Sequence, residues 1–300
     1  MEEGKNIIAY DISYYDPEFD VTQCQISAQS GYPPAQDELG NCYKQGWHAK
    51  KDYAKAIEWY RKAAEQGNAA AQRSLGYCYS EGQGLKKDPE QAFNWYKMAA
   101  EGGDADAQRN LGLSYSYGQG VERSSEKAIE WFEKAAMQGH DDAMINLGTR
   151  YEQGWGVPKD YGKAAEWYRK AAELGNDAAQ YNLGMFYEKG LGLDRDVKKA
   201  AEWFEKAAIQ GNGDAQCNLG CFYEMGEGVE QNWDQAFYWY TLSAQQGNRN
   251  AQYNLAFCYS LGTGVKENPA LAAEWFQKSA QQNMADAQYK LAQCYENGTG

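Results

Sequence analysis

Apolar residues along this chain recur at helical spacing in two kinds of segment, which alternate. Residues 178–189 represent the first kind, with four apolar side chains on one face of a helix: Ala179, Leu183, Phe186 and Tyr187. Gly190 and Gly192 then interrupt the helical pattern. A second apolar stripe follows at Ala200, Trp203, Phe204, Ala207 and Ala208. Gly211 stands where a glycine closes a helix, so the pattern predicts a pair of helices.

This pair of helices returns every 36 residues without an insertion. Seven of the ten tryptophans share one column: Trp59, Trp95, Trp131, Trp167, Trp203, Trp239 and Trp275. An alanine column runs in the same register: Ala35, Ala71, Ala107, Ala143, Ala179, Ala215, Ala251 and Ala287. We therefore expect an all-α solenoid of antiparallel helix pairs over residues 21–300, with about seven full repeats and a partial repeat at each end.

Two further columns support this division into helices. The residue before each second helix is a type whose side chain caps a helix N-terminus: Asp52, Asp88, Ser124, Asp160, Asp196, Asn232 and Asn268. Within the first helices, one column holds glycine: Gly40, Gly76, Gly112, Gly148, Gly184 and Gly220. A mid-helix glycine costs about 1 kcal/mol against alanine, so we expect another helix to approach closely there. We also expect the tryptophan and tyrosine columns to fill the space between helix layers.

The recurring residues of one unit, residues 176–211, are Ala179, Leu183, Gly184, Tyr187, Gly190, Gly192, Asp196, Lys199, Ala200, Glu202, Trp203, Phe204, Lys206, Ala207, Ala208 and Gly211. This pattern resembles the Sel1-like repeat, a relative of the tetratricopeptide repeat, over about residues 20–300. The resemblance implies a right-handed superhelical α-solenoid that acts as an adaptor or scaffold for other proteins.

The two ends of the chain depart from the repeat. Residues 1–20 match no unit, so we expect an irregular N-terminal segment or cap there. The last first helix, residues 286–296, has no second helix after it. Terminal repeats normally carry a polar cap, so we expect either a fragment of a longer chain or another chain covering this end. Self-association through this uncapped end would be one form of the second alternative.

The charge and composition narrow the classes of partner. The formal net charge is −13, which disfavours nucleic acids and anionic membranes and favours basic proteins or peptides. No stretch reaches 18 apolar residues, and the N-terminus lacks the apolar core of a signal peptide, unless one was removed. The seven cysteines are an odd number in a chain too long to need disulfides, so we expect reduced thiols and a cytoplasmic location.

The residues that could carry catalysis or bind a metal are few and scattered. The two histidines, His48 and His140, lie in different loop columns, and we interpret both as exposed. Cys217 and Cys221 are four residues apart on one first helix, which could supply two legs of a metal site, but no histidine joins them. We interpret both as small core or groove residues and expect no enzyme, no cofactor and no metal. The alternative, a hydrolase of the cell-wall or antibiotic type, would need a convergent polar cluster.

Stacked helix pairs curve, and by similarity to tetratricopeptide repeats the first helices would line the concave groove. Three columns of the first helix vary along the chain, whereas the packing columns repeat, so we expect the varying columns to bind the partner. The candidate residues are Arg73, Tyr77, Arg109, Leu113, Glu152, Tyr181, Met185, Glu188, Glu224, Tyr253, Phe257 and Tyr289. Their types predict a basic N-terminal patch, an acidic middle and an aromatic C-terminal half. Alternatively, Arg73 and Arg109 would simply pair with aspartates such as Asp106 and Asp142.

The leading hypothesis is therefore a protein-interaction scaffold that holds a peptide or protein with basic and apolar residues. A purely structural or self-assembling spacer is the remaining alternative.

Overall fold

The computed structural model describes residues 21–298, in which sixteen α-helices alternate with short loops and no strand occurs. A helix α1 (Val21–Gln29) precedes the first full repeat. The first helices of the repeats are α2 (Pro33–Gln45), α4 (Ala69–Glu81), α6 (Ala105–Tyr117), α8 (Asp141–Gln153), α10 (Asp177–Lys189), α12 (Gly213–Met225), α14 (Arg249–Leu261) and α16 (Ala285–Glu296). The second helices are α3 (Tyr53–Glu65), α5 (Pro89–Glu101), α7 (Ser125–Met137), α9 (Tyr161–Glu173), α11 (Val197–Ile209), α13 (Trp233–Gln245) and α15 (Pro269–Gln281). The all-α fold with helix pairs in 36-residue register is confirmed.

The helices form two compact units, which divide between Ser124 and Ser125. Within each unit every helix packs against the next one along the chain. The irregular segment predicted for residues 1–20 lies outside the described residues. None of the described helices has the length and apolar character needed to cross a membrane.

The predicted N-caps form at six second helices. The side chains of Asp52, Asp88, Asp160, Asp196, Asn232 and Asn268 accept hydrogen bonds from backbone N–H groups of the first helical turn. A second set of caps, which the sequence analysis did not single out, starts the first helices at Asn68, Asp104, Asn176, Asn212 and Asn248. Each such cap contributes about 1 kcal/mol, so the helix boundaries are encoded at both ends of the repeat.

The mid-helix glycines admit an aromatic ring, which explains their column. A Cβ added at Gly184 would lie 2.7 Å from two ring carbons of Phe204, and one at Gly220 would lie 2.6 Å from the ring of Tyr240. The rings belong to the aromatic column of the second helices: Tyr60, Tyr96, Phe132, Tyr168, Phe204, Tyr240 and Phe276. These rings are buried and, with the leucine and alanine columns, make the core. The expected close approach is therefore that of a side chain.

The tryptophan column occupies a different place from the one expected. Among the seven tryptophans of the column only Trp239 is buried, whereas the others are half-buried. The ammonium group of Lys206 lies 3.8 Å from the ring centroid of Trp203, and that of Lys278 lies 3.6 Å from the ring centroid of Trp275. Each tryptophan precedes the core aromatic by one residue, about 100° around the helix, so six of the seven rings lie at the edge of the core. Lysine lies over the rings of Trp59, Trp131, Trp167, Trp203 and Trp275.

A glutamine column ties successive helices together and was not recognised in the sequence. Gln180 is buried, its Nε2 donates to the backbone oxygen of Ala172 at 3.2 Å, and its Oε1 accepts from Nε2 of Gln210 at 2.9 Å. Gln36, Gln72, Gln108, Gln216 and Gln252 are buried in the same way. Because each amide satisfies a buried carbonyl, this polar column stabilises the interior of the repeat stack.

Candidate functional site

On each first helix the candidate binding residues lie on one side, which we call the first-helix face. In α10 it consists of Tyr181, Met185 and Glu188, four and three residues apart, and so on one side of the helix. Leu183 and Phe186 of the same helix are buried in the core, which turns the first-helix face away from it. Successive first helices are in contact along this face, since Nδ2 of Asn218 on α12 lies 3.2 Å from Sδ of Met185.

In the unit before Ser125, the basic residues of this face already have partners. Arg73 pairs with Asp106 and lies 3.5 Å from the carboxylate of Asp104. Arg109 donates to Oδ1 of Asn110 at 3.4 Å. The side chain of Lys44 lies over the exposed ring of Tyr77, 4.4 Å from its centroid. The alternative of local ion pairing therefore holds for Arg73, and Leu113 is a half-buried neighbour on α6.

In the unit after Ser124, the three glutamates of the face differ in their hydrogen bonding. The hydroxyl of Tyr168 donates to Glu152 at 2.7 Å, and that of Tyr240 donates to Glu224 at 2.5 Å. The equivalent second-helix residue for Glu188 is Phe204, which has no hydroxyl. Burial raises the pKa of Glu188, and its strongest charged neighbour is Lys189, which lowers it. Glu188 is therefore the carboxylate of the three with no tyrosine donor.

The central position of the first-helix face is the column that contains Thr149, Met185 and Phe257. Its residue type changes with the residue type of the aromatic column, tyrosine or phenylalanine. Three of the four second-helix tyrosines meet a polar residue at this position: Tyr60 donates to Asn41 at 2.8 Å, the hydroxyls of Tyr168 and Thr149 lie 3.2 Å apart, and Tyr240 lies 3.3 Å from the sulfur of Cys221. The fourth, Tyr96, lies 3.3 Å from the hydroxyl of Ser80, outside this column. Where the second helix supplies phenylalanine, the partner is apolar. Met185 packs on the cluster that contains Phe204, and Phe257 lies 5.3 Å from Phe276 between ring centroids. Packing therefore accounts for part of the variation that sequence analysis ascribed to recognition.

Aromatic side chains dominate the C-terminal part of the face. The Tyr253 and Phe257 rings are 4.9 Å apart between centroids and meet edge to face. Tyr181 lies 5.8 Å from Phe204 in a tilted arrangement, and Tyr289 on α16 is 64% exposed. These rings present apolar area with hydroxyl groups at its edge, the combination that anchors peptide side chains.

Cys217 and Cys221 lie in the same face, on α12. Cys217 is buried, whereas Cys221 is partly exposed and lies 3.3 Å from the hydroxyl oxygen of Tyr240. A hydrogen bond from the Cys217 thiol lowers the pKa of Cys221 and raises that of Cys217. In residues 21–298 no group of three or more histidine, cysteine, aspartate and glutamate side chains is placed to hold a metal ion.

The histidines are not alike. His48 is exposed and adopts a positive φ of 54°. His140 occupies the N-cap position of α8, with only 12% of its side chain exposed. The expectation of an exposed imidazole is therefore wrong for His140, whose side chain is largely covered by its neighbours.

The structure thus groups the candidates into two separate sets. Arg73, Tyr77, Arg109 and Leu113 lie in one unit, and the remaining eight candidates lie in the other. Sequence analysis missed the second-helix residues Tyr168 and Tyr240, which orient two of the glutamates. The alternation of tyrosine and phenylalanine directly after each tryptophan was the available signal.

The Sel1 repeat profile matches the chain in eight successive segments: residues 33–68, 69–104, 105–140, 141–176, 177–212, 213–248, 249–284 and 285–300. The chain belongs to the Sel1 repeat family. The matched segments start where the first helices start, so the 36-residue register of the sequence is that of the family. Among curated proteins no sequence matches the chain significantly.

Two solved structures illustrate the relationship. A protective antigen from uropathogenic Escherichia coli strains, described as displaying an SLR fold, is 41% identical over 93% of this chain, with a TM-score of 0.85. This chain spans 60% of that antigen's length. A Sel1 repeat protein from Oxalobacter formigenes is 37% identical, with a TM-score of 0.70, over 81% of this chain and 96% of its own.

Proposed function

We propose that this Sel1 repeat protein is an interaction scaffold and that the first-helix face of residues 141–296 binds an extended peptide with basic and apolar residues. The observation that carries the proposal is the juxtaposition of glutamates with half-buried aromatic side chains on successive first helices. Repeat proteins of this kind typically serve as protein-interaction scaffolds, and their repeats present extended surfaces.

The spacing of the face suits an extended ligand. Packed helices lie about 8–10 Å apart, and an extended chain rises about 3.3 Å per residue, so every third ligand residue meets an equivalent position. Glu152, Glu188 and Glu224 occupy such equivalent positions on α8, α10 and α12. Basic residues three apart would face the glutamates, while the intervening apolar residues would contact Tyr181 and Met185.

Fluorescence anisotropy with defined nonapeptides tests this arrangement. The probe carries arginine at positions one, four and seven with alanine and leucine between them. One control peptide has glutamate in place of arginine, and another has the same composition with the three arginines adjacent. We expect the spaced basic peptide to bind most tightly, and its affinity to fall as salt screens the glutamates.

Variants of the protein locate the site. The double substitution Tyr181→Ala and Tyr253→Ala should weaken binding of the spaced peptide at least tenfold, because it removes two aromatic anchors. Tyr238→Ala is the matched control, since Tyr238 is 51% exposed on the second helix α13. Equal affinity for the basic and acidic peptides, or equal losses in the double variant and the control, would refute the proposal.

Self-association through α16 belongs to the same proposal as a second mode of interaction. Tyr289 and Tyr295 of this helix are 64% and 57% exposed, which offers an apolar surface to another copy. Light scattering over a range of concentrations should show mass increasing with concentration, and Tyr289→Ser should reverse the increase. A strict monomer at every concentration would contradict this mode.

We also propose a reducing, cytoplasmic setting. Five of the seven cysteines are buried in the core, the other two are partly exposed, and all seven are free thiols in the described part of the chain. Such thiols are typical of proteins kept reduced.

A further inference from the structure

One column of the first helices reaches across to the central residue of the preceding repeat. It holds asparagine in five successive repeats: Asn110, Asn146, Asn182, Asn218 and Asn254. Nδ2 of Asn218 lies 3.2 Å from Sδ of Met185, and Nδ2 of Asn254 lies 3.6 Å from the sulfur of Cys221. At these two repeats the column therefore places the end of its side chain on the central position of the first-helix face, 33 residues earlier in the chain.

The last repeat has lysine in this column. Lys290 on α16 is half-buried, and its ammonium group lies 5.4 Å from the centroid of the Phe257 ring on α14. Phe257 is the central residue of its helix and is itself half-buried. An ammonium group at this distance from an aromatic face makes a cation–π contact. The change from asparagine to lysine therefore places a positive charge of the chain on the first-helix face.

The helix that contains Phe257 also lacks the glutamate of the face. The column of Glu152, Glu188 and Glu224 continues at Ser260 on α14. Oγ of Ser260 donates to the backbone oxygen of Phe257 at 3.0 Å, so this side chain supplies no charge. A basic residue of a ligand would therefore meet the face of an aromatic ring on α14, where it meets a carboxylate on α8, α10 and α12.

The unit before Ser125 contains a similar contact. Tyr77 and Phe257 are the two aromatic residues of the central column. The ammonium group of Lys44, on the neighbouring first helix α2, lies 4.4 Å from the centroid of the Tyr77 ring. Lys44 and Lys290 occupy different columns of the repeat, yet each places a cation on the central ring of an adjacent first helix. A central aromatic residue is thus accompanied by a lysine in both units.

We propose that the ring of Phe257 is a cation subsite of the peptide-binding face, which Lys290 fills in the free protein and a basic residue of the peptide takes over on binding. The proposal rests on the proposed function, because the incoming cation belongs to the bound peptide. Peptide residues one, four and seven meet the glutamates of α8, α10 and α12, so residue ten meets Phe257 on α14. Lys290 thereby sets how much a fourth basic residue adds to affinity.

The exchange of one cation for another determines the expected affinities. In the native chain a ligand arginine must displace Lys290, so one contact with the ring is lost for each one made. In the Lys290→Asn variant the ring is open, and the contact with arginine adds to affinity. A surface cation–π contact corresponds to about a two- to fivefold change in affinity.

Two decapeptides separate this subsite from the rest of the face. Both carry arginine at positions one, four and seven, and position ten is arginine in one peptide and glutamine in the other. Fluorescence anisotropy gives the ratio of their affinities for each protein. We expect Lys290→Asn to raise this ratio about two- to fivefold over that of the native chain. Lys266→Asn removes the same charge from an exposed loop position and should leave the ratio unchanged.

The substitution Phe257→Met tests the ring itself. Methionine is the central residue beside another core phenylalanine, since Met185 packs on the cluster that contains Phe204, so the variant should keep its fold. Thermal melts followed by circular dichroism check this. Combined with Lys290→Asn, Phe257→Met should return the ratio to the native value. The proposal is overturned by a ratio that Lys290→Asn leaves unchanged, by one that Lys266→Asn raises equally, or by one that stays raised in the double variant.

A measurement without peptide distinguishes failure of the subsite from failure of the proposed function. In NMR spectra of the full chain with isotope-labelled lysine, the ε-proton signal of Lys290, identified by its loss in Lys290→Asn, should lie upfield because the Phe257 ring shields it. Tetramethylammonium chloride should compete for the ring and move this signal downfield, whereas sodium chloride at the same concentration should not. Displacement by tetramethylammonium without binding of either decapeptide would refute the proposed function and support the cation subsite. A Lys290 signal that neither Phe257→Met nor tetramethylammonium moves would refute the subsite.

Discussion

The presence of one hydroxyl group on a core aromatic decides which side chains can lie beside it on the first-helix face. Tyr168 and Tyr240 extend their hydroxyls out of the core to glutamates, whereas Phe204 and Phe276 meet Met185 and Phe257. Packing against the core is therefore one cause of the sequence variation at these positions.

The glycine column gives a direct test of packing at a single residue. Gly184→Ala should lower stability by about 1–3 kcal/mol, although alanine favours helices, because the new Cβ would lie 2.7 Å from ring carbons of Phe204. Gly213→Ala is the matched control, since its Cβ would find its nearest neighbour at an ordinary 3.5 Å, in Gln246. Urea denaturation followed by circular dichroism measures both. A stabilised Gly184→Ala variant would show that the ring moves aside without cost.

Asp37 predicts a pH dependence in the opposite direction to that of most carboxylates. Burial raises its pKa to about 6 from an ordinary 3.8, so the folded state holds the proton more tightly than the unfolded state. Its contribution to stability is therefore most favourable below about pH 4 and is lost as the pH rises to about 6. At pH 7 Asp37→Asn should increase the free energy of unfolding by an amount on the order of 1–2 kcal/mol and so raise the melting temperature. At pH 3.5 the substitution should leave the melting temperature unchanged. Glu65→Gln, at an exposed position, is the control, and an Asp37→Asn effect independent of pH would contradict the prediction.

The helices were predictable because the residues that begin and end them act locally. N-cap residues, glycines after the last turn and apolar stripes all act within a few residues, so the sequence predicted the second helices and the six side-chain caps that begin them. The glutamine column was not predictable in this way. Gln180 reaches a carbonyl eight residues earlier and an amide thirty residues later, and a polar residue in a helix is ordinarily interpreted as solvent-facing.

The contribution of the glutamine column to stability can be tested with residues that one repeat of this chain has in its place. The fourth repeat has Met144 in the column and Leu174 where five other repeats have the second glutamine; the second repeat keeps Gln72 but has Gly102 at the second position. Gln180→Met should cost about 1–3 kcal/mol, because it leaves the Ala172 carbonyl and the Gln210 amide without their buried partner. Adding Gln210→Leu, which reproduces the natural pair, should recover part of that loss. Gln245→Met at an exposed position is the control, and additive losses in the double variant would contradict the coupling.

At the scale of the whole molecule, the net charge of −13 acts on every unit at once. Self-repulsion of this charge destabilises the folded chain, and salt screens it. Raising sodium chloride from 10 to 150 mM should therefore raise the melting temperature by about 2–4 °C for each kcal/mol of repulsion removed. Potassium chloride should act equally, since screening depends on ionic strength. A melting temperature that falls with salt would mean that ion pairs such as Arg73 with Asp104 outweigh the repulsion.

The candidate site was less predictable than the fold because its properties depend on contacts between neighbouring helices. Sequence columns show which positions differ between repeats, but they do not show what each side chain meets on the neighbouring helix. Arg73 was expected in an open basic patch, yet its guanidinium lies between Asp104 and Asp106. The tryptophan column illustrates the same limit. Either Trp203 or the adjacent Phe204 could face the core, and which one does depends on how the helix is rotated against its neighbours.

The pairing of the aromatic column with the first-helix face has a consequence for how such proteins diversify. Tyr240, Cys221 and Glu224 all lie within one family repeat, residues 213–248. Duplication or transfer of that 36-residue segment therefore copies the tyrosine together with its cysteine and glutamate neighbours. A point mutation at Tyr240 or at Glu224, by contrast, would leave the other residue without its hydrogen-bond partner. Exchange of a whole repeat would therefore change the surface chemistry and keep these hydrogen-bonded groups together.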